Sequence, residues 1–438
     1  MRYVARFLLV TSIALGTSLA PVSAAPAPTT SYIVVLSDDV ANPASVVRTL
    51  GRTYGFRAEF VYRHALNGFA AQLTASALTG VLADPRVLSV VEDSTLTLDQ
   101  VTQPPQFMSN AVKRVDGDES STASGDGSGS VDINVAVIDS GIDFAHPDLN
   151  VVGGVSCSGR RNDGGAEVEN HGTMVAGWIG AIDNEIGVVG VAPGARLWAV
   201  RTGNKKGFSS DRALICGIDW VTGTRTDADP TNDIAVANMS LGGDVSGSLG
   251  TCSDTSHAVY RAVCGAVAAG VTMVASAGND SLDLAGQYPA TFDEVLTATA
   301  IADVDGEPGG VGTPGQCSQQ IGNTVDDGPA FFSNFATLLA DQAHTVAAPG
   351  VCNSSTFPGG LYAVGSGTSF SAPVVAGTVA LCIASGPCAG LTPTQIIAKI
   401  VNDAAVYNSA NLDYGFDGDP NHPIAGKYYG YLVRAALY

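Results

Sequence analysis

From residue 32 onward, apolar positions alternate between short β-like runs and stretches of helical period. Residues 32–36 (Tyr-Ile-Val-Val-Leu) form an apolar run, 44–50 follow with helical spacing, and 56–62 and 68–73 are two further strand-like segments. A second helical pattern at 76–83 leads into Val-Leu-Ser-Val-Val at 87–91 and completes a β-α-β-β-α-β order. Residues 100–130 break the pattern. They are rich in Gln, Pro, Ser, Gly and Asp, and 120–130 hold only Ser, Gly, Asp, Thr and Ala, so a linker or exposed loop is expected there. From residue 131, apolar runs at 134–138, 195–200, 234–239 and 271–275 alternate with small-residue helical stretches at 172–181, 210–221 and 256–269. Continuously apolar strands alternating with helices predict an α/β domain on a mainly parallel sheet flanked by helices. A last strand is expected at 428–433, and no internal repeat is present.

The chain thus divides into a small α+β unit of ferredoxin-like topology at 31–98, a connecting region at 99–130 and a larger α/β domain at 131–438. Hydrophobic residues make up 45% and charged residues only 14%, which excludes a disordered chain. Forty-one acidic residues against 21 basic ones give a net charge of −20, which repels phosphate backbones and anionic lipid. Neither nucleic acid nor a membrane is an expected partner. At the N-terminus, Arg2 and Arg6 precede an apolar run at 7–20, and Val22-Ser23-Ala24 offers a small-residue cleavage point. Residues 1–24 read as a secretory signal peptide. The run is shorter than the roughly 20 residues that span a bilayer, and no later stretch is expected to be long and apolar enough.

Eight cysteines, at 157, 216, 252, 264, 317, 352, 382 and 388, suit a secreted protein in an oxidising compartment. No Cys-x-x-Cys pair occurs, which favours disulfides over structural zinc. Many pairings are open. Nearest-in-sequence pairing of Cys252 with Cys264, Cys317 with Cys352 and Cys382 with Cys388 leaves Cys157 for Cys216.

Three segments combine a sharp turn with a chemically active side chain: Val137-Ile138-Asp139-Ser140-Gly141-Ile142, Asn170-His171-Gly172-Thr173-Met174, and Gly367-Thr368-Ser369-Phe370-Ser371-Ala372-Pro373. Singly, an Asp after a strand, a His before Gly and a Ser before an apolar helix are ordinary turn or cap residues. Together they supply Asp, His and Ser in one of the few chain orders used by hydrolytic triads.

With these blocks stand Gly187-Val188-Val189-Gly190-Val191-Ala192-Pro193, Asn238-Met239-Ser240-Leu241-Gly242-Gly243, Ala277-Gly278-Asn279, Phe332-Ser333-Asn334 and Ala347-Ala348-Pro349-Gly350. The set, from residue 31 to the C-terminus, resembles the subtilases, serine proteases of the subtilisin type (peptidase S8) with an inhibitor I9-like propeptide. The resemblance implies a secreted serine endopeptidase made as a zymogen. Ser369 would be the nucleophile, His171 its base and Asp139 the orienter of that base, with Asn279 and the Ser369 backbone amide as oxyanion donors. Ser240, Leu241 and Gly242 on one side and Ser276, Ala277 and Gly278 on the other would bind substrate backbone as added strands. Gln287, before Tyr288-Pro289, aligns with the base of the main specificity pocket. The polypeptide substrate and the chain's own propeptide at 31–98, acting as inhibitor and folding aid, are the implied partners of a monomeric enzyme. Processing would cut within 95–120.

The resemblance also implies a structural Ca²⁺ site, formed by Asp148, Asn184 and the carbonyls of Ile182, Ile186 and Val188. Met174 stands where many relatives carry a second His, and neither the insert between Asp148 and His171 nor residues 301–327 contain a legible motif. Two other functions use the same scaffold: a catalytically silent binding protein, which would be expected to lack one of Asp139, His171, Asn279 or Ser369, and an esterase with the same triad.

Overall fold

The computed structural model describes residues 28–94, 103–159, 163–246, 249–322 and 325–438. The expected signal peptide at 1–24, the last residues of the 31–98 unit (95–98) and the start of the connecting region (99–102) lie outside the described residues. The chain forms two units, Met1–Gln100 and Val101–Tyr438.

In the first unit, β1 (Thr30–Leu36), α1 (Pro43–Tyr54), β2 (Ala58–Tyr62), β3 (Gly68–Leu73), α2 (Ala75–Leu82) and β4 (Val87–Glu92) build an antiparallel sheet of order β2-β3-β1-β4. Helix α1 begins because the Asn42 side chain accepts from Ser45 N–H and Pro43 takes a first-turn position needing no donor, and it ends at Gly55 in the left-handed region. Its Val46, Val47 and Leu50 pack with Val34, Leu36, Phe69 and Val81 in one small core. This is the ferredoxin-like order that the apolar pattern predicts.

The second unit contains α3 (Asn110–Arg114), β5 (Asn134–Asp139), β6 (Val151–Ser156), α4 (His171–Gly180), β7 (Arg196–Arg201), α5 (Asp211–Thr224), β8 (Val236–Met239), β9 (Gly243–Asp244), α6 (Ala258–Ala268), β10 (Thr272–Ser276) and β11 (Gln287–Tyr288). It continues through β12 (Val295–Ala302), α7 (Gln316–Gln320), β13 (Gly328–Pro329), α8 (Leu339–Gln342), β14 (Thr345–Pro349), β15 (Asn353–Phe357), β16 (Leu361–Gly365), α9 (Thr368–Ser385), α10 (Pro393–Ala410) and β17 (Tyr431–Leu432). The main sheet runs β17-β14-β12-β10-β8-β5-β7-β6 with every neighbouring pair parallel, and β13 adds an antiparallel partner to β12. Strands β5, β8, β10, β12 and β14 are buried on both faces, so their sequences are mostly apolar, with a few buried Asn, Thr, Ser and Asp residues, and show no apolar-in, polar-out alternation of a one-sided sheet. From β5 the chain steps outward to β6, returns through β7 and crosses to β8 on the other side. This reversal of strand order opens a crevice at the carboxyl ends of β5 and β8.

Two expectations are corrected here. Helix α9 is, by length and composition, long and apolar enough to cross a bilayer. Its apolar character on all sides has a different cause: most of the helix is buried in the core against α4 and the sheet. The described part of the connecting region is built into the second unit instead of forming an exposed linker. Gln106 and Phe107 N–H groups donate to the Glu185 and Gly187 carbonyls, and Ala111, Val112 and Val115 are fully buried. Arg114 is buried because its charge is met: Nε lies 2.9 Å from both Asp303 and Asp327 carboxylates, and one terminal amino group donates to the Tyr414 and Gly415 carbonyls at 2.8 Å. A segment of polar composition thus enters the core through partners about 200 to 300 residues away.

The disulfides are Cys157–Cys216, Cys252–Cys264, Cys317–Cys352 and Cys382–Cys388, the nearest-in-sequence pairing. All eight cysteines are used.

Candidate active site

Asp139 ends β5 and is almost fully buried, and its Oδ1 accepts from the Ser140 N–H at 2.6 Å. Ser140 then joins two elements: its hydroxyl donates to the Glu169 carbonyl and accepts from the Gly172 N–H, each at 2.9 Å. The Gly172 amide is one of the unpaired donors in the first turn of α4, so the bond both caps the helix and docks it on β5. Gly172 approaches so closely that a Cβ there would sit 2.2 Å from the Gly141 carbonyl. His171, the first residue of α4, is therefore held against Asp139, its Nδ1 2.9 Å from both carboxylate oxygens. Burial works against the charged imidazolium, but the Asp139 charge and hydrogen bond outweigh it and raise the His171 pKa above the ordinary histidine value. With Nδ1–H donated to Asp139, Nε2 is the basic nitrogen.

Ser369 lies in the first turn of α9, which contains Pro373. Proline has no N–H, so the Ser369 carbonyl four residues earlier lacks its helical donor. The Ser240 hydroxyl donates to it at 2.6 Å, and Asn238 Nδ2 supports that hydroxyl at 2.9 Å. Ser369 Oγ donates to the Ser240 carbonyl at 3.4 Å, and among the described residues no hydrogen bond joins it to His171. Asn279 follows β10. Its Oδ1 accepts from the Thr368 N–H and hydroxyl at 2.8 and 2.9 Å, which leaves Nδ2 free to donate elsewhere. A Cβ built on Gly367 would lie 3.6 Å from Asn279 Nδ2 and 3.7 Å from Ser369 N, so both nitrogens lie close to the space beside Gly367.

Asp139, His171, Ser369, Ser240, Leu241 and Gly242 line a common cavity of about 480 Å³. Ser276 ends β10 on the far side, Ala277 is buried, and Gly278 N–H donates to Thr368 Oγ1 at 3.1 Å. Gln287 opens β11, paired with Asp244 of β9.

Comparison with known proteins decides the family. The family described as "Subtilase family" matches residues 130–418, and "Peptidase inhibitor I9" matches 31–99. The chain belongs to the subtilase family. It is 33% identical to Subtilisin E of Bacillus subtilis (strain 168) over 354 residues, covering 80% of this chain and 78% of that protein. It is 34% identical to a subtilisin of Bacillus pumilus over 287 residues, 65% of this chain and 87% of that protein. Alkaline serine exoprotease A of Vibrio alginolyticus is 31% identical over 364 residues, 80% of this chain and 58% of that protein. The protein is a serine endopeptidase with an I9-type propeptide.

In this subtilase the residues expected at the cation site also come together. Asp148 is fully buried, accepts from Asn184 Nδ2 at 2.8 Å and from Val188 N–H at 3.0 Å, and its own carbonyl accepts from Ile182 N–H at 3.0 Å. Burial pushes its pKa up to about 6. Asn184 Oδ1 accepts from Ile186 N–H. Two glutamines escaped the sequence reading. Gln106 Oε1 accepts from Asn184 N–H at 2.6 Å, and Gln103 Oε1 is buried without a hydrogen-bond partner, next to Pro104, whose carbonyl takes the Gly187 N–H. No local signal in the sequence marks either, and the Asn184 that Gln106 meets lies about 80 residues later. Thr368 was visible only as part of a motif, its hold on Asn279 becoming apparent from the geometry alone.

Gly367 has φ 154° and ψ 157°, a region open essentially to glycine. Gly367→Ala is expected to strain the backbone by about 1–3 kcal/mol and to place a methyl close to these two nitrogens, Asn279 Nδ2 and Ser369 N. Peptidase kcat/KM should fall by about tenfold or more. Full activity of the folded variant would show that the space does not matter.

Proposed function

We propose that Ser369, His171 and Asp139 are the catalytic triad, and that Asn279 Nδ2 and the Ser369 backbone N–H form the oxyanion hole. The single observation that carries this reading is that the Asp139–His171 pair and Ser369 line one cavity, with Asn279 Nδ2 and the Ser369 backbone nitrogen both close to Gly367, two residues before Ser369. His171 Nε2 takes the Ser369 proton as Oγ attacks the scissile carbonyl carbon. Asp139 keeps the ring in the tautomer with Nδ1–H and stabilises the imidazolium. The carbonyl oxygen becomes an oxyanion in the space faced by the two donors, where the start of α9 also favours negative charge. His171 then gives its proton to the leaving amine, and water repeats the sequence on the acyl-enzyme to regenerate Ser369.

Peptide substrate is held as an extended strand between Ser240, Leu241 and Gly242 and Ser276, Ala277 and Gly278. The chain is exported by its 1–24 signal as a zymogen and acts as a monomer. Its 31–98 unit inhibits the 131–438 catalytic domain until it is removed. Since the chain from Pro104 onward hydrogen-bonds into the second unit, processing falls upstream of it.

The Asp148 loop suits a calcium ion: a buried carboxylate without a cationic partner, the orphaned Gln103 Oε1, and the carbonyls of Ile182, Ile186 and Val188, which accept no hydrogen bond among the described residues. Bound calcium would supply the charge that Asp148 lacks and hold the loop closed.

Ser369→Ala should abolish both casein hydrolysis and propeptide release. In the wild type, activity requires neutral His171, whose pKa is raised, so kcat/KM should fall about tenfold per pH unit below a midpoint above the ordinary histidine value of about 6.5. A rate flat down through about pH 5 would contradict His171 as base. Calcium at about 100 times its Kd should stabilise the fold by about 2.7 kcal/mol, read as a higher Tm that EGTA reverses and Asp148→Asn removes. An unchanged Tm would exclude the ion from this loop.

A further inference from the structure

Between the two walls at 240–242 and 276–278 lies the side chain of Gln287. Its Cγ is 3.7 Å from where a Cβ on Gly278 would stand, and its Oε1 is 3.8 Å from the corresponding point on Gly242. One amide side chain therefore reaches both walls. It is also restrained, because Gln287 Nε2 donates to Asp244 Oδ1 at 2.8 Å, a charge-assisted bond. The backbone beneath is fixed as well: Gln287 and Asp244 are register partners of β11 and β9, and Val245 N–H donates to the Gly286 carbonyl at 2.9 Å. The cavity at Ser369 extends elsewhere, along Leu241 to Leu214 and Tyr288, and residues 276–278 do not line it.

We infer that Asp244 is a positioning residue that holds Gln287 across the gap, making the pocket for the side chain just before the scissile bond shallow and selective for glycine, alanine or serine. The inference rests on the peptidase reading of the same walls. A phenylalanine or leucine side chain entering here has to displace the Gln287 amide and break its bond to Asp244. An alanine methyl fits above it.

The test uses the mature enzyme and tripeptide p-nitroanilides that differ only in the last residue, alanine or phenylalanine. The wild type should favour alanine by about tenfold or more in kcat/KM. Gln287→Gly should turn the preference toward phenylalanine. Asp244→Ala should move it the same way by a few-fold, mainly through a lower KM for the phenylalanine substrate. Asp244→Asn keeps an oxygen acceptor for Nε2 and should retain the preference for alanine, which a merely structural role for Asp244 does not predict. A wild-type preference for phenylalanine, or a ratio unmoved in both Gln287→Gly and Asp244→Ala, overturns the inference while leaving the peptidase reading intact. Absence of hydrolysis of either anilide by an enzyme that takes no fluorophosphonate at Ser369 overturns both.

Discussion

A proline inside a buried helix leaves one carbonyl without its donor, and in this chain that carbonyl belongs to Ser369. A buried acceptor left unpaired costs about 1–3 kcal/mol, so the Ser240 hydroxyl at the end of β8 has to meet it. That bond fixes the start of α9 relative to the sheet. Thr368 repeats the device one residue earlier by holding Asn279 from the end of β10, and Ser140 does the same for α4 at the end of β5. Three parallel strands thus deliver their carboxyl ends to two helix starts, and each junction is closed by a short polar side chain. The chemistry depends on these junctions, because His171 and Ser369 belong to elements far apart in sequence.

Away from the crevice, the same logic of long-range satisfaction holds the unit together. Arg114 ties the segment before the sheet to Asp303, Asp327 and the backbone at Tyr414 and Gly415. Removing one partner of such a buried set costs about 3–5 kcal/mol, since the remaining charge cannot be hydrated. The segment from Pro104 is accordingly built into the second unit rather than a tether, which is why the proposed processing has an upper limit on what it can remove.

Much of the fold could be read from the sequence, because periodicity reports burial directly. The runs at 134–138 and 271–275 are apolar apart from Asn134 and Thr272 because both faces of β5 and β10 are covered. The three short segments bearing Asp139, His171 and Ser369 stood out because the turn chemistry around each is specific. What stayed hidden depends on partners distant in sequence. Residues 103–130 looked like a linker since nothing local reveals that Arg114 finds acids about 200 residues on. The orientation of Gln287 is set by Asp244, and the loop that meets Asp148 through Asn184 is also held by Gln106, from a stretch that composition alone marks as loop. Helix α9 was misjudged for length because its Ser, Thr and Pro residues interrupt the apolar run without interrupting the helix.

The most direct measurement is labelling of the processed protein with a fluorophosphonate, followed by mass spectrometry of the modified peptide. Phosphonylation requires a serine activated by a neighbouring base. The account predicts a single adduct, on Ser369, that disappears in His171→Ala. An adduct on another serine, or none on a folded and processed chain, would contradict it.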